Sequence, residues 1–254
     1  MKKLYICLVI LLIFSLSSCV DLEEVYDFHA DGSCNVTYNF DMSTAVSVLA
    51  NLLPDSVRKS PQYAEIKDTT VNFYGILPDT TQQKMDSSQV AMAKGSDLVL
   101  MMNLKRNIMK ASIRHSADNV ADLNYYLKNI SKMVSHEHLN SILPNSKGLK
   151  NFDGSEFVLG QDYYNYDIGP HKFYRTIDKA KFSAYIKKNE QLFKLSRAML
   201  IDMPYKIKLN FPGPVVKVDN AKALISEDRK TVTLETNIED AFKNPDIMNL
   251  KIEY

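Results

Sequence analysis

The chain has 254 residues, 45% of them hydrophobic, which is enough for one large domain or two small ones with a sizeable core. Its 31 basic and 30 acidic residues leave a net charge of +1, which excludes the strongly basic balance of a nucleic-acid binder. Three cysteines, Cys7, Cys19 and Cys34, are too few for a disulfide framework, so the fold must rest on its apolar core.

Lys2 and Lys3 precede an apolar run from Leu4 to Leu16, and the run closes directly on Leu16-Ser17-Ser18-Cys19. A helix of that length is about 20 Å long against a hydrocarbon core of about 30 Å, so it fails as a permanent span and reads as a targeting segment. The pattern resembles a bacterial lipoprotein signal. What that resemblance implies is cleavage before Cys19, diacylglycerol on the Cys19 sulfur and a further acyl chain, palmitate-like, on the new amino group. Two or three such chains make membrane attachment effectively permanent. The alternative is an ordinary secretory signal that contains a cysteine. The expected organisation is therefore a signal peptide over residues 1–18 and a single α+β envelope domain over residues 19–254, held at the membrane through Cys19. The resemblance places it in the cell envelope, at the outer membrane of a Gram-negative bacterium. Losing Lys2, Lys3 and Cys7 turns the net charge to −1 and leaves Cys34 with no partner for an intramolecular disulfide.

Val20 to Glu24 is short, so the folded body is expected to begin almost at the membrane. Tyr26, Phe28 and Ala30 alternate with polar residues, and after Asp31-Gly32 the alternation resumes in Cys34, Val36, Tyr38 and Phe40. A three-residue loop, Ala30-Asp31-Gly32, pairs Phe28 with Cys34 and Tyr26 with Val36 and puts the apolar residues on one face; a two-residue loop would split them. Cys34 is then a buried small hydrophobe. Asp41-Met42-Ser43 opens a helix with Ala45, Val48, Leu49, Leu52 and Leu53 at helical spacing, ended by Pro54. Thr69 to Leu77 reads as a strand, and Gln82 to Ala93 as a polar helix closed by Gly95. Leu98, Leu100, Met102 and Leu104 are answered across Lys105 to Ile108 by Met109, Ala111 and Ile113, a second hairpin whose methionines read as packing. A helix carrying Val120, Leu123, Leu127 and Ile130 follows, capped by Ser116 or Asp118. Residues 135–161 show no sustained period; a short helix near His138 to Leu143 is expected there.

Tyr163 to Ile168 and Lys172 to Ile177 form a third hairpin around Gly169-Pro170, and Asp178 caps a helix with Phe182, Tyr185, Ile186, Leu192, Phe193 and Leu200 on one face. Tyr205 to Phe211 alternates and breaks at Pro212-Gly213-Pro214. Val215 to Val218 resumes, Ala223 and Ile225 pair with Leu234 and Val232, and Leu250 to Tyr254 closes. Hairpins separated by helices predict an α+β fold, with a largely antiparallel sheet and amphipathic helices on one face. The stretches Glu24 to Ser33, Asp41 to Ser43, Asp219 to Ala223 and Ser226 to Val232 together resemble uncharacterised Gram-negative lipoproteins. More loosely, they are similar to LppM-like lipoprotein domains, which are associated with envelope glycolipids. These are turn and strand signals, and they carry over no functional residue.

Catalytic signatures are missing. His136-Glu137-His138 lacks the spacing of a zinc helix, there is no Gly-x-Ser-x-Gly elbow or phosphate-cradling loop, and Glu23-Glu24 and Glu239-Asp240 point apart. No cofactor and no metal site is expected. The charged feature is the stretch from His171 to Lys208, where ten cations, Arg175 among them, face three acids. On the helix, Lys179, Lys187, Lys188, Lys194 and Arg197 lie on the polar arc, either as a solvated face or as a patch for anionic lipid or acidic glycan. The leading expectation is a lipid-anchored, non-enzymatic envelope protein that binds an amphipathic or anionic component or a protein partner, with no nucleic acid involved. An envelope hydrolase assembled from distant residues and a structural surface antigen are the alternatives.

Overall fold

The computed structural model describes residues 20–133 except 62 and 65, residues 163–188 with 190, 191 and 194, and residues 203–254. The fold is α+β with two sheets. The larger has eight strands in the order β10 (Leu224–Ile225), β11 (Thr231–Asn237), β8 (Pro204–Asn210), β1 (Asp21–Phe28), β2 (Cys34–Asp41), β5 (Ile108–Ala117), β4 (Ser96–Asn103) and β3 (Ile66–Asn72). The smaller has four, in the order β6 (Tyr164–Gly169), β7 (Lys172–Ile177), β12 (Leu250–Glu253) and β9 (Lys217–Val218). All pairings are antiparallel except β1 with β8, which run parallel with Leu22 opposite Tyr205.

The first hairpin has the expected register, with Phe28 opposite Cys34 and Tyr26 opposite Val36. His29 N–H donates to the Ser33 carbonyl at 2.9 Å, leaving a three-residue loop in which Gly32 adopts φ +86°, a left-handed conformation that costs glycine little. The second hairpin sets Met102 against Met109 and Leu98 against Ile113, and the third sets Ile168 against Phe173. One buried cluster runs from Leu22 to Ile252 and includes residues of both sheets. Phe173 of the small sheet packs on Tyr26 and Phe28 of the large one, with ring centroids 5.3 and 5.9 Å apart.

Helices are α1 (Ser43–Leu52), α2 (Asp55–Arg58), α3 (Asp79–Gln82), α4 (Ser87–Lys94), α5 (Val120–Met133), α6 (Lys179–Lys188) and α7 (Ile238–Lys243). Several depart from expectation. On α1, Ala45 and Ala50 face inward while Val48 and Leu49 stay exposed, so the stripe with the larger side chains is not the packed one. The strand read as Thr69 to Leu77 instead spans Ile66–Asn72. Asn72 ends it by accepting from the N–H groups of Tyr74 and Gly75, which starts a short 3-10 turn. The single helix over Gln82 to Ala93 is two, because Asp86 and Gln89 form a reciprocal capping box that restarts the chain at Ser87. The cap of α5 is Asn119, whose side-chain oxygen accepts from Ala121 and Asp122, rather than Ser116 or Asp118. Asp178 caps α6 as expected, accepting from Ala180 and Lys181. The helix expected near His138 to Leu143 lies outside the described residues, as do Leu192, Phe193, Leu200 and Cys19.

Candidate functional site

The most buried polar chemistry lies between the two sheets. Leu22, Glu24, Tyr26 and Phe28 alternate onto the inner face of β1, so Glu24 is carried into the core with its apolar neighbours, while Glu23 points the other way and accepts from Asn39 at 3.1 Å. Arg175 alternates with Phe173 and Ile177 on β7 and meets it. Its Nη1 donates to Glu24 Oε2 at 2.7 Å, both groups being almost completely shielded from solvent. Tyr26 donates to the same oxygen at 2.9 Å and Tyr205 to the other, and Tyr38 lies 3.2 Å from the Tyr26 hydroxyl. The guanidinium carbon sits 3.9 Å from the centre of the Tyr164 ring, a cation–π contact, and its Nε and Nη2 have no hydrogen-bond acceptor among the described residues. Burial raises the hydroxyls of Tyr26, Tyr38 and Tyr205, which stay neutral donors. This network ties the sheets together, and its ion pair is almost completely shielded from solvent. Arg175, read from sequence as one cation of a basic surface, is thus internal. Strict alternation of Leu22, Glu24, Tyr26 and Phe28 was the available signal that Glu24 needed a buried partner.

A second internal pair is Ser96 and His115, brought side by side across β4 and β5. Ser96 Oγ donates to the Met92 carbonyl at 2.7 Å, so the 2.8 Å contact with His115 Nδ1 has the imidazole as donor. The ring stacks on Tyr126 with centroids 3.8 Å apart, and its Nε2 has no partner among the described residues. Burial holds His115 neutral, pushing its pKa from 6.5 down to about 4. A serine nucleophile needs access and a base that takes its proton. Ser96 is fully buried and its proton is committed to a backbone carbonyl, so this pair is packing. Among the described residues no group of three metal-ligating side chains comes together; His136-Glu137-His138 lies outside them.

The basic stretch is largely neutralised one cation at a time. Lys172 pairs with Asp167, Lys179 with Asp246, Lys181 with Asp178, Lys194 with Glu190 and Lys206 with Glu235, at 2.6 to 3.9 Å. Of the five helical cations expected to form a patch, Lys179 and Lys194 are paired, Arg197 lies outside the described residues, and Lys187 and Lys188 close the last turn of α6 with no ion pair among the described residues. Among the described residues, those two are the helical cations of the expected patch that have no ion pair.

An open site does exist, and no motif announced it. A groove of about 380 Å³ runs between the Phe73–Met92 segment and α5. Phe73, Leu77, Met85, Met92, Tyr125 and Met133 supply its apolar lining, and Thr81, Gln89 and Asn129 add neutral polar groups. The charges that line it are both positive, Lys84 and Lys132, each exposed to solvent. Asp86, whose charge reaches Tyr125, spends its carboxylate on the α4 cap. The groove is thus apolar along its walls with two ammonium groups at its border. A second cleft, of about 400 Å³, is polar and lies where β1, β2 and β5 meet at Asp21, Asp41 and Lys110.

No family model matches the sequence, and no curated protein does. Among solved structures the chain is similar to the folded domain of the LppM protein of Mycobacterium tuberculosis, determined by NMR. The TM-score is 0.32 at 6% identity, over 92% of this chain and 87% of that one. At that level the likeness carries no argument about function.

Proposed function

We propose that the protein is a lipid-anchored, non-enzymatic module of the cell envelope that holds the hydrocarbon part of an anionic amphiphile in the groove beside α5. The carrying observation is the groove: six apolar side chains with Lys84 and Lys132 as its charges. The anchor half of the reading rests on Leu16-Ser17-Ser18-Cys19 and on its fit to a lipoprotein signal. Among the described residues no helix is long and apolar enough to cross a membrane, which is compatible with acyl chains as the attachment.

Both halves can be tested on the full chain. Labelled palmitate should be incorporated by the wild type and lost in Cys19→Ala; equal labelling would place the acyl chain elsewhere or nowhere. For the groove, a fluorescent fatty acid should bind the purified protein and be displaced by an unlabelled one. Met85→Trp fills the groove and should abolish binding. Lys84→Gln with Lys132→Gln removes two charges worth about 1 kcal/mol each, a loss of about thirtyfold. Binding untouched by both changes would move the ligand out of the groove.

A further inference from the structure

One end of the large sheet gathers several of the large apolar side chains that are exposed among the described residues. Asp21 at the start of β1 is level with Asp41, Lys110, Met101 and Asp68 on β2, β5, β4 and β3. Beyond that row, away from the sheet centre, lie Ile66 and the β4–β5 turn over Leu104–Arg106. Helix α1 is fastened to the same end. Met42 N–H donates to the Met109 carbonyl at 2.9 Å, and Met109 N–H donates to Ser43 Oγ at 3.2 Å. Val48, Leu49, Ile66 and Met101 are all exposed here, Ile66 to 67%. Exposed apolar groups of this size in one region are unusual on a free surface.

What covers them follows from where the chain enters. Cys19 is two residues before the first residue of β1, and Val20 is already packed against the core. Two extended residues reach about 7 Å. An acylated Cys19 therefore holds this end of the sheet against the headgroups, with no slack to turn another face to the bilayer. The charge at this end is mixed: Asp41 is paired with Lys110, exposed Asp21 and Asp68 lie in the strand row, and beyond them at the turn exposed Lys105 and Arg106 have no carboxylate partner among the described residues. Apolar side chains with cations beside them, Lys105 and Arg106 at the tip of a turn, match an anionic phospholipid interface.

We infer that the protein docks on its own membrane through this end, with Val48, Leu49, Ile66 and Met101 entering the interface and Lys105 and Arg106 meeting lipid phosphates. The inference rests on the anchor reading above and adds a fixed orientation to it. The groove, whose Phe73 follows Asn72 at the other end of β3, then lies away from the docked face.

The chain contains no tryptophan, so a single one reports cleanly. Full-length Leu49→Trp and Val216→Trp are made, the second being exposed next to β9, on the strand that pairs with the Glu253 end of β12. Each is placed in vesicles containing phosphatidylglycerol with brominated acyl chains, and the mass of each protein records whether Cys19 is acylated. Docking predicts a blue shift and bromine quenching for Leu49→Trp and neither for Val216→Trp. Adding Lys105→Gln and Arg106→Gln to the first should lower the ratio of docked to free molecules by about twenty-five-fold, at about fivefold per cation. An acylated protein with Leu49→Trp unquenched, or with both reporters quenched alike, overturns the inference and leaves the anchor standing. A blue shift without quenching overturns it in favour of a second copy or another protein. A mass without acyl groups overturns the anchor; quenching of that protein with added vesicles would still support this end as the docking face, and lack of quenching would overturn it as well.

Discussion

Replacing His115 by Asn should change how stability depends on pH. In the unfolded chain an imidazole takes up a proton near pH 6.5, whereas in the fold burial holds His115 to about 4. Between these values the unfolded state binds more protons than the native one, so stability falls as the pH is lowered through that window. A difference of about 2.5 units at 1.36 kcal/mol each is about 3 kcal/mol, lost mostly between pH 6.5 and 4. The group is 3% exposed, so solvent screening takes little from this figure. Asn can keep the donor to Ser96 that Nδ1–H now provides at 2.8 Å, and it does not titrate. It leaves a gap beside Tyr126, a cost that is the same at every pH. The assay is urea unfolding of both proteins, followed by far-ultraviolet circular dichroism from about pH 7 to about pH 4.5. Carboxylate titrations are common to both and cancel in the difference. The advantage of the wild type should shrink by about 1.4 kcal/mol per pH unit below about pH 6 and can reverse sign. A difference independent of pH would mean that His115 is charged or solvated in the fold, and the tautomer argument for Ser96 would go with it.

Two further outcomes are expected. Arg175→Met should cost about 3–5 kcal/mol, because it leaves the Glu24 carboxylate in the core with only tyrosine donors, while Glu24→Gln with Arg175→Met together should cost less than the sum of the singles; additive losses in urea unfolding would show that the two groups do not meet. Cys34 is buried and its thiol is pushed well above the ordinary range by that burial, so a maleimide should label it only after denaturant is added; equal labelling with and without denaturant would contradict the register of the first hairpin.

The hairpins were legible because each is local and announces itself twice, by alternation and by its turn. Gly32 chooses between two registers of β1 and β2, and the choice that keeps Tyr26, Phe28, Cys34 and Val36 together is the one the fold adopts. Pairings without a turn leave no such trace. Nothing local to Leu22 or Tyr205 marks them as neighbours, so the parallel contact of β1 with β8, and the division of strands into two sheets, had to come from the structure. The groove was hidden for a related reason. Its walls come from Phe73 to Ala93 and from α5, and methionines, a phenylalanine and a tyrosine in such segments read as ordinary core until their open side is seen. The basic stretch erred in the other direction, since counting Arg175, Lys179 and Lys194 as surface charge ignores the carboxylates that tertiary structure sets against them.

The central place of β1 has a consequence for timing. It lies between β2 and β8, and its parallel partner is encoded about 180 residues later. At the usual pace of synthesis, about 5–20 residues per second, the first strand exists for about ten to forty seconds before the residues that cover its other edge have been made. During that interval the chain can close the β1–β2 hairpin but cannot complete its main sheet, and Glu24 has no Arg175 to meet. The nascent protein therefore stays loosely structured until its last third appears, the condition in which a polypeptide can still be threaded through a narrow channel and bound by holding chaperones. A circular permutant that brings β8 next to β1 in sequence should close this part of the sheet earlier during synthesis.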